Sequence, residues 1–148
     1  MTDDTRPRRS DFPYFMVMQT RWNDNDIYGH MNNVVYYQLL DTAVNRYMVE
    51  EGDFRFAEAD AIGLVAETRC RYFAPLRFPD IIEAGMSVTR LGNRAVTWSI
   101  GLFKGKDEDA AAVGHFVHVF VDRTEQSRTV PIPASIRAAL ERLVVDAG

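Results

Sequence analysis

Apolar residues recur along this chain in two periods, and the change from one to the other marks its elements. Between Val34 and Glu51, the residues Val35, Tyr36, Leu39, Leu40, Ala43, Val44, Tyr47 and Met48 return at steps of three and four, which predicts a helix. Asn32 or Asn33 is its expected N-cap, because a short amide side chain accepts from the free N–H groups of the first turn, and Gly52 is its expected stop. From Ala61 the period becomes two. Ile62, Leu64, Ala66, Thr68, Cys70 and Tyr72 alternate with Val65, Glu67, Arg69 and Arg71, which predicts one long strand closed by Pro75. Ile82, Ala84, Met86 and Val88 alternate next, then Val96, Trp98, Ile100 and Leu102 after a turn holding Gly92 and Asn93, so this pair reads as a hairpin. The run AAAVGHFVHVFVD predicts a last strand apolar on both faces, one for the helix and one for a partner.

At the ends, the run from Phe15 to Trp22 is β-compatible, and a short amphipathic helix is expected from about Ser135 to Val145, with Ile136, Leu140, Leu143 and Val144 inward. Residues 1–12 are polar and read as a flexible arm, leaving 13–148 as a single domain. One helix followed by consecutive strands places the chain in the α+β class: a long helix packed on an antiparallel sheet of about five strands, plus a short C-terminal helix. Such a sheet leaves edges and an outer face to be covered, which predicts homo-oligomerisation.

Composition narrows the possible functions. The chain has 148 residues, 47% of them hydrophobic, enough for one core. A net charge of -4 argues against binding nucleic acid through bulk positive charge. The single cysteine, Cys70, excludes an internal disulfide framework and fits a reducing cytoplasm. No apolar run is long enough for a membrane span, so a cytoplasmic protein without membrane partners is expected.

The candidate chemistry lies in the loop that feeds the long helix, with Asn23, Asp24, Asn25, Asp26, Tyr28, His30, Asn32 and Asn33. The first N–H groups of a helix point outward without intrahelical partners and carry the positive end of its dipole, so they can receive a developing oxyanion. A carboxylate beside them is the skeleton of an acyl-transfer site. From composition alone, an ordinary capped turn accounts for the same residues. Asp24 and Asp26 offer too few oxygens for a strong hard-cation site, so no metal is expected. Cys70 reads as packing, and His115 and His118, three apart on a strand, face opposite sides.

The run Arg21-Trp22-Asn23-Asp24-Asn25-Asp26-Ile27-Tyr28-Gly29-His30-Met31-Asn32-Asn33, followed by Val34-Val35-Tyr36-Tyr37, resembles the signature of the 4-hydroxybenzoyl-CoA thioesterase-like branch of the hotdog fold. The Arg90-Leu91-Gly92-Asn93-Arg94 turn and the Pro131-Ile132-Pro133 tail extend the likeness to roughly residues 15–145. Asn23 stands where a smaller residue is common in relatives. The resemblance implies a helix wrapped by a curved sheet, homodimers or homotetramers joined through sheet edges, and cofactor-free hydrolysis of acyl-CoA at the subunit interface. It makes Asp26 the catalytic carboxylate and places the oxyanion-binding N–H at about Asn33.

Around that pair, His30 is a candidate acid/base partner, while Tyr28, Asn32 and Tyr36 are candidates for shaping the acyl pocket. Arg94 and Arg128 are candidates for the CoA phosphates, since guanidinium pairs well with phosphate oxygens. A carboxylate is a weak base toward water at neutral pH, so Asp26 would either attack the thioester directly or orient a water; should burial make it a stronger base, general-base action recovers. The rival readings are a non-catalytic acyl-CoA or acyl-carrier binding module, and a hotdog dehydratase or hydratase.

Overall fold

In the computed structural model, which describes residues 6–146, strand β1 (Tyr14–Gln19) precedes helix α1 (Asn33–Glu51). Strands β2 (Ala61–Tyr72), β3 (Ile81–Leu91), β4 (Ala95–Lys104) and β5 (Ala112–Asp122) follow, then helix α2 (Ala134–Glu141). The five strands form one antiparallel sheet in the order β1-β3-β4-β5-β2. Strand β2, next after the helix in sequence, therefore lies at an edge.

Helix α1 begins where its cap says it should. The Asn32 side chain accepts the Val34 N–H at 3.0 Å, and the Gly52 N–H closes the far end on the Met48 carbonyl. Leu40, Ala43, Val44 and Tyr47 of the helix pack with Trp98, Ile100, Phe116 and Phe120 of the sheet. The closest approach is at Gly114, where any side chain would meet Leu40. Phe116 and Phe120 are thus covered by the chain's own helix. This is the hotdog arrangement, a 19-residue helix held by a curved five-stranded sheet.

Four local features differ from the alternation read in sequence. β2 carries a bulge between Val65 and Glu67: Ile62 and Leu64 share the outer face with Val121 and Val119, whereas Thr68, Cys70 and Tyr72 share the inner face with Phe116, Gly114 and Ala112. One extra residue reverses the parity of a strand. The first strand stops at Gln19, because the Thr20 hydroxyl turns to donate to the Asp80 carbonyl at 2.6 Å and a 3-10 turn (Trp22–Asp24) follows.

At the C-terminus, α2 ends at Glu141 and the chain continues alongside β3, the Val88 N–H donating to the Leu143 carbonyl and the Val145 N–H to the Val88 carbonyl. Leu143 is buried there, while Val144 is exposed rather than inward.

The arm expected over residues 1–12 lies partly outside the described residues, and its second half is docked. The Phe12 ring sits on Gly85 and Gly101, which are register partners, and meets Phe103 edge-on with centroids 5.7 Å apart. Arg9 stacks over Phe15 and Phe103 and bonds Glu83 at 2.8 Å. A polar stretch conceals this strap because its anchors are one aromatic ring and one guanidinium that finds a buried carboxylate. No helix among the described residues is long and apolar enough to cross a membrane.

Candidate functional site

The loop between β1 and α1 is moulded by its own polar side chains. Asp24 is buried: its carboxylate accepts the Arg21 backbone N–H at 2.7 Å and the Arg21 guanidinium at 2.9 and 3.0 Å, while its carbonyl accepts the Asn32 N–H at 2.8 Å. Asn25 reaches across to accept the Phe78 N–H at 2.9 Å, and Trp22 meets the Phe78 ring edge-on. The first aspartate of the pair is thus structural, and the β2–β3 connection is the mould for the loop.

Asp26 stands at the tip of a tight turn. Its N–H donates to the His30 carbonyl at 2.7 Å and its carbonyl accepts the Gly29 N–H at 3.1 Å. Gly29 has φ +80, a conformation that favours glycine, so the residue type follows from the turn. The Asp26 carboxylate turns back over this loop, Oδ1 accepting the N–H of Tyr28 at 2.8 Å and of His30 at 3.3 Å. It is the backbone of His30, not its imidazole, that meets Asp26. Oδ1 is thereby oriented by two backbone N–H groups.

The helix start adds the second element. Asn32 donates its N–H to the Asp24 carbonyl and its side-chain Oδ1 accepts the Val34 N–H, while the Asn33 N–H meets no acceptor among the described residues. The Asn33 side chain is held: its Oδ1 accepts from the Tyr72 hydroxyl. The sequence does not single out Tyr72: alternation places it with Cys70 on the packed face, and only the fold brings that end of β2 to the helix start.

The remaining expected site residues separate into near and far. Tyr28 and Asn32 lie on the same loop and are exposed. Tyr36 is buried, and its hydroxyl accepts the Leu76 N–H at 3.3 Å, so it braces the β2–β3 connection. Arg94 and Arg128 are at the opposite end of the sheet: the Arg94 carbonyl accepts the Phe120 N–H, and Arg128 pairs with Asp122 at 3.0 Å. Tyr72 and Asn33 sit at the Ala112 end of β5, so the length of that strand, roughly 33 Å, separates the two groups within one chain. Arg94 is also engaged, bonding the Thr129 hydroxyl at 2.8 Å and carbonyl at 3.2 Å. Around Asp26 the surface is apolar, with Trp22, Ile27, Tyr28 and Val34 all largely exposed.

Compared with known proteins, residues 20–140 match the family model described as the thioesterase-like superfamily. Among solved structures, the chain is 48% identical to the PA5185 protein of Pseudomonas aeruginosa strain PAO1, over 97% of this chain and 99% of that one, with a TM-score of 0.93. It is similar in fold to the gentisyl-coenzyme A thioesterase BH1999, at 23% identity, 86% and 99% coverage and a TM-score of 0.74. A 1,4-dihydroxy-2-naphthoyl-CoA thioesterase from Synechocystis shares the fold at 15% identity, 86% and 94% coverage and a TM-score of 0.76. Among curated proteins none matches significantly.

Proposed function

Because this chain belongs to the thioesterase-like superfamily, we propose that it hydrolyses acyl-CoA thioesters to a free carboxylic acid and CoA. Fold alone does not supply chemistry, so the reading rests on the site. The observation that carries it is a carboxylate oriented by two backbone N–H groups, at Asp26, on the loop leading into a helix whose Asn33 N–H is open to an incoming oxygen. Two proteins of the same fold, BH1999 and Slr0204 of Synechocystis, are named as thioesterases of CoA esters, which supports the reading.

In this reading the thioester carbonyl oxygen points at the Asn33 N–H, with the α1 dipole behind it. Negative charge that develops on that oxygen is stabilised there; a single donor of this kind is worth about 3 kcal/mol in the transition state. Asp26 Oδ2 either attacks the carbonyl carbon, expelling the CoA thiolate and leaving an anhydride that water opens, or orients the water that attacks directly. His30 acts as acid/base partner, chiefly toward the leaving thiol. Tyr28 and Asn32 flank the acyl group and Tyr36 backs it.

A second copy completes the site. β2 is an open edge, with Val65 and Tyr72 about half exposed. Antiparallel pairing of β2 with its counterpart would set the far end of one chain beside the near end of the other. That is how Arg94 and Arg128 of the second copy would reach the CoA phosphates beside the first copy's Asp26.

The test is release of free thiol from short, medium, long-chain and aromatic acyl-CoAs, with mass measured by light scattering. Turnover of one class by a dimer or larger assembly supports the reading. Binding without release in every class contradicts it and makes the protein a binding module.

A further inference from the structure

We propose that Tyr72, the last residue of β2, is a positioning residue that fixes the oxyanion donor: its hydroxyl holds the Asn33 side chain and so sets the direction of the Asn33 N–H. The inference rests on the role given to Asn33 above. Tyr72 pairs with Ala112 on the inner face of the sheet, donates its O–H to Asn33 Oδ1, and lays its ring edge-on against Tyr36 with centroids 4.9 Å apart. From the other side, the Tyr36 hydroxyl accepts the Leu76 N–H, and the Leu76 carbonyl accepts the Met31 N–H at 2.8 Å. Met31 and Asn33 flank the cap residue Asn32. The helix start is therefore held at both neighbours of its cap, through the backbone at Met31 and through a side chain at Asn33.

The clamp matters because terminal helical N–H groups fray, whereas an oxyanion donor has to be aimed before the charge develops. An amide whose own side chain is tied cannot swing away without breaking that tie. Desolvation of the hydroxyl itself, with Cys70 beside it, raises Tyr72 above its ordinary range, so the O–H is present to donate at neutral and mildly alkaline pH. Tyr72 is 48% exposed and on an edge strand, so within one chain little of the core depends on this one bond.

Tyr72→Phe keeps the ring and removes the donor. On the best acyl-CoA substrate, kcat is expected to fall about tenfold with KM within about twofold and the unfolding midpoint unchanged. Added to Asn33→Ala, which already lacks the acceptor, the same substitution is expected to cost nothing more. A Tyr72→Phe variant with wild-type kcat, or one that loses as much in the Asn33→Ala background as alone, overturns the proposal. Should the wild type release thiol from no acyl-CoA, the hydrolase reading fails on its own account and amide hydrogen exchange decides for Tyr72. Faster exchange over residues 31–36 in Tyr72→Phe supports the clamp, and unchanged exchange overturns it.

Discussion

The indole N–H of Trp98 donates to Nδ1 of His118 at 3.2 Å, and both side chains are buried between the sheet and α1. As an acceptor, Nδ1 carries no proton, so the ring is the neutral tautomer with its hydrogen on Nε2. Protonation would break this bond and leave a charge in the core. Burial lowers the His118 pKa below its ordinary value of 6.5, with Asp41 opposing weakly, and His115 is lowered as well, by burial and by Arg69 and Arg71.

A pH dependence follows. The unfolded chain binds these protons at higher pH than the folded one, so their contribution to stability is complete above about pH 6.5 and is lost as pH falls toward the folded values. Urea unfolding at pH 8, 6.5 and 5 should show stability dropping in acid by up to about 1.4 kcal/mol per pH unit for each histidine. His118→Gln should flatten that slope. A slope unchanged by the substitution would show that His118 does not set it. Asp122 acts in a separate, lower window: the Glu125 N–H, the Thr124 hydroxyl and Arg128 bring its carboxyl down to about 2, so its contribution is lost only as pH falls from about 4 through that value.

The strap over the outer face of the sheet is held by shape. A Cβ at Gly101 would lie 2.7 Å from the Phe12 ring. Gly101→Ala is expected to cost about 1–3 kcal/mol by overpacking, measured by denaturant unfolding. Removing the ring with Phe12→Ala is expected to cost about 2–4 kcal/mol alone but to relieve part of the Gly101→Ala penalty in the double variant. Strict additivity would show that the two positions do not compete for the same space.

Arg9 and Glu83 form the polar half of the same strap. Glu83 is buried, and Lys106 and Arg9 together hold its carboxyl below the usual glutamate range. Arg9→Ala removes the partner stacked between Phe15 and Phe103 and is expected to destabilise by about 2–4 kcal/mol. Part of the wild-type advantage depends on Glu83 being ionised, so it should persist above pH 4.5 and shrink as the carboxyl is protonated below it. An equal difference between Arg9→Ala and wild type at pH 7 and pH 3 would contradict this origin.

Most of the architecture was legible in the spacing of residues. The period of three to four from Val35 to Met48 located α1, the Asn32-Asn33 pair bracketed its start, which the structure caps at Asn32, and the turn at Gly92 and Asn93 located the β3–β4 hairpin. What spacing hid was anything that depends on one residue more or less. The bulge between Val65 and Glu67 sends Ile62 and Leu64 to the outer face while Thr68, Cys70 and Tyr72 stay inside, and no alternation pattern marks it. The docked strap was hidden for a different reason: a half-buried arginine and a lone phenylalanine leave no periodic trace.

The site was legible as a motif but not as a division of labour. Asp24 and Asp26 are two residues apart and alike in type, yet one is locked beneath Arg21 while the other turns over the loop. Only the resemblance favours Asp26 over Asp24; the structure separates the two by burial, Asp24 being buried and Asp26 half-buried at the Gly29 turn.

The most direct test of the central claim is thiol release by Asp26→Asn against wild type on the best acyl-CoA substrate. Asparagine keeps an oxygen to accept the Tyr28 and His30 N–H groups, so the turn and the fold should survive, as circular dichroism and the unfolding midpoint can verify. In Asp26→Asn, kcat is expected to fall by about 100-fold or more while the acyl-CoA still binds. An Asp26→Asn variant that turns over at the wild-type rate would contradict the catalytic role of Asp26.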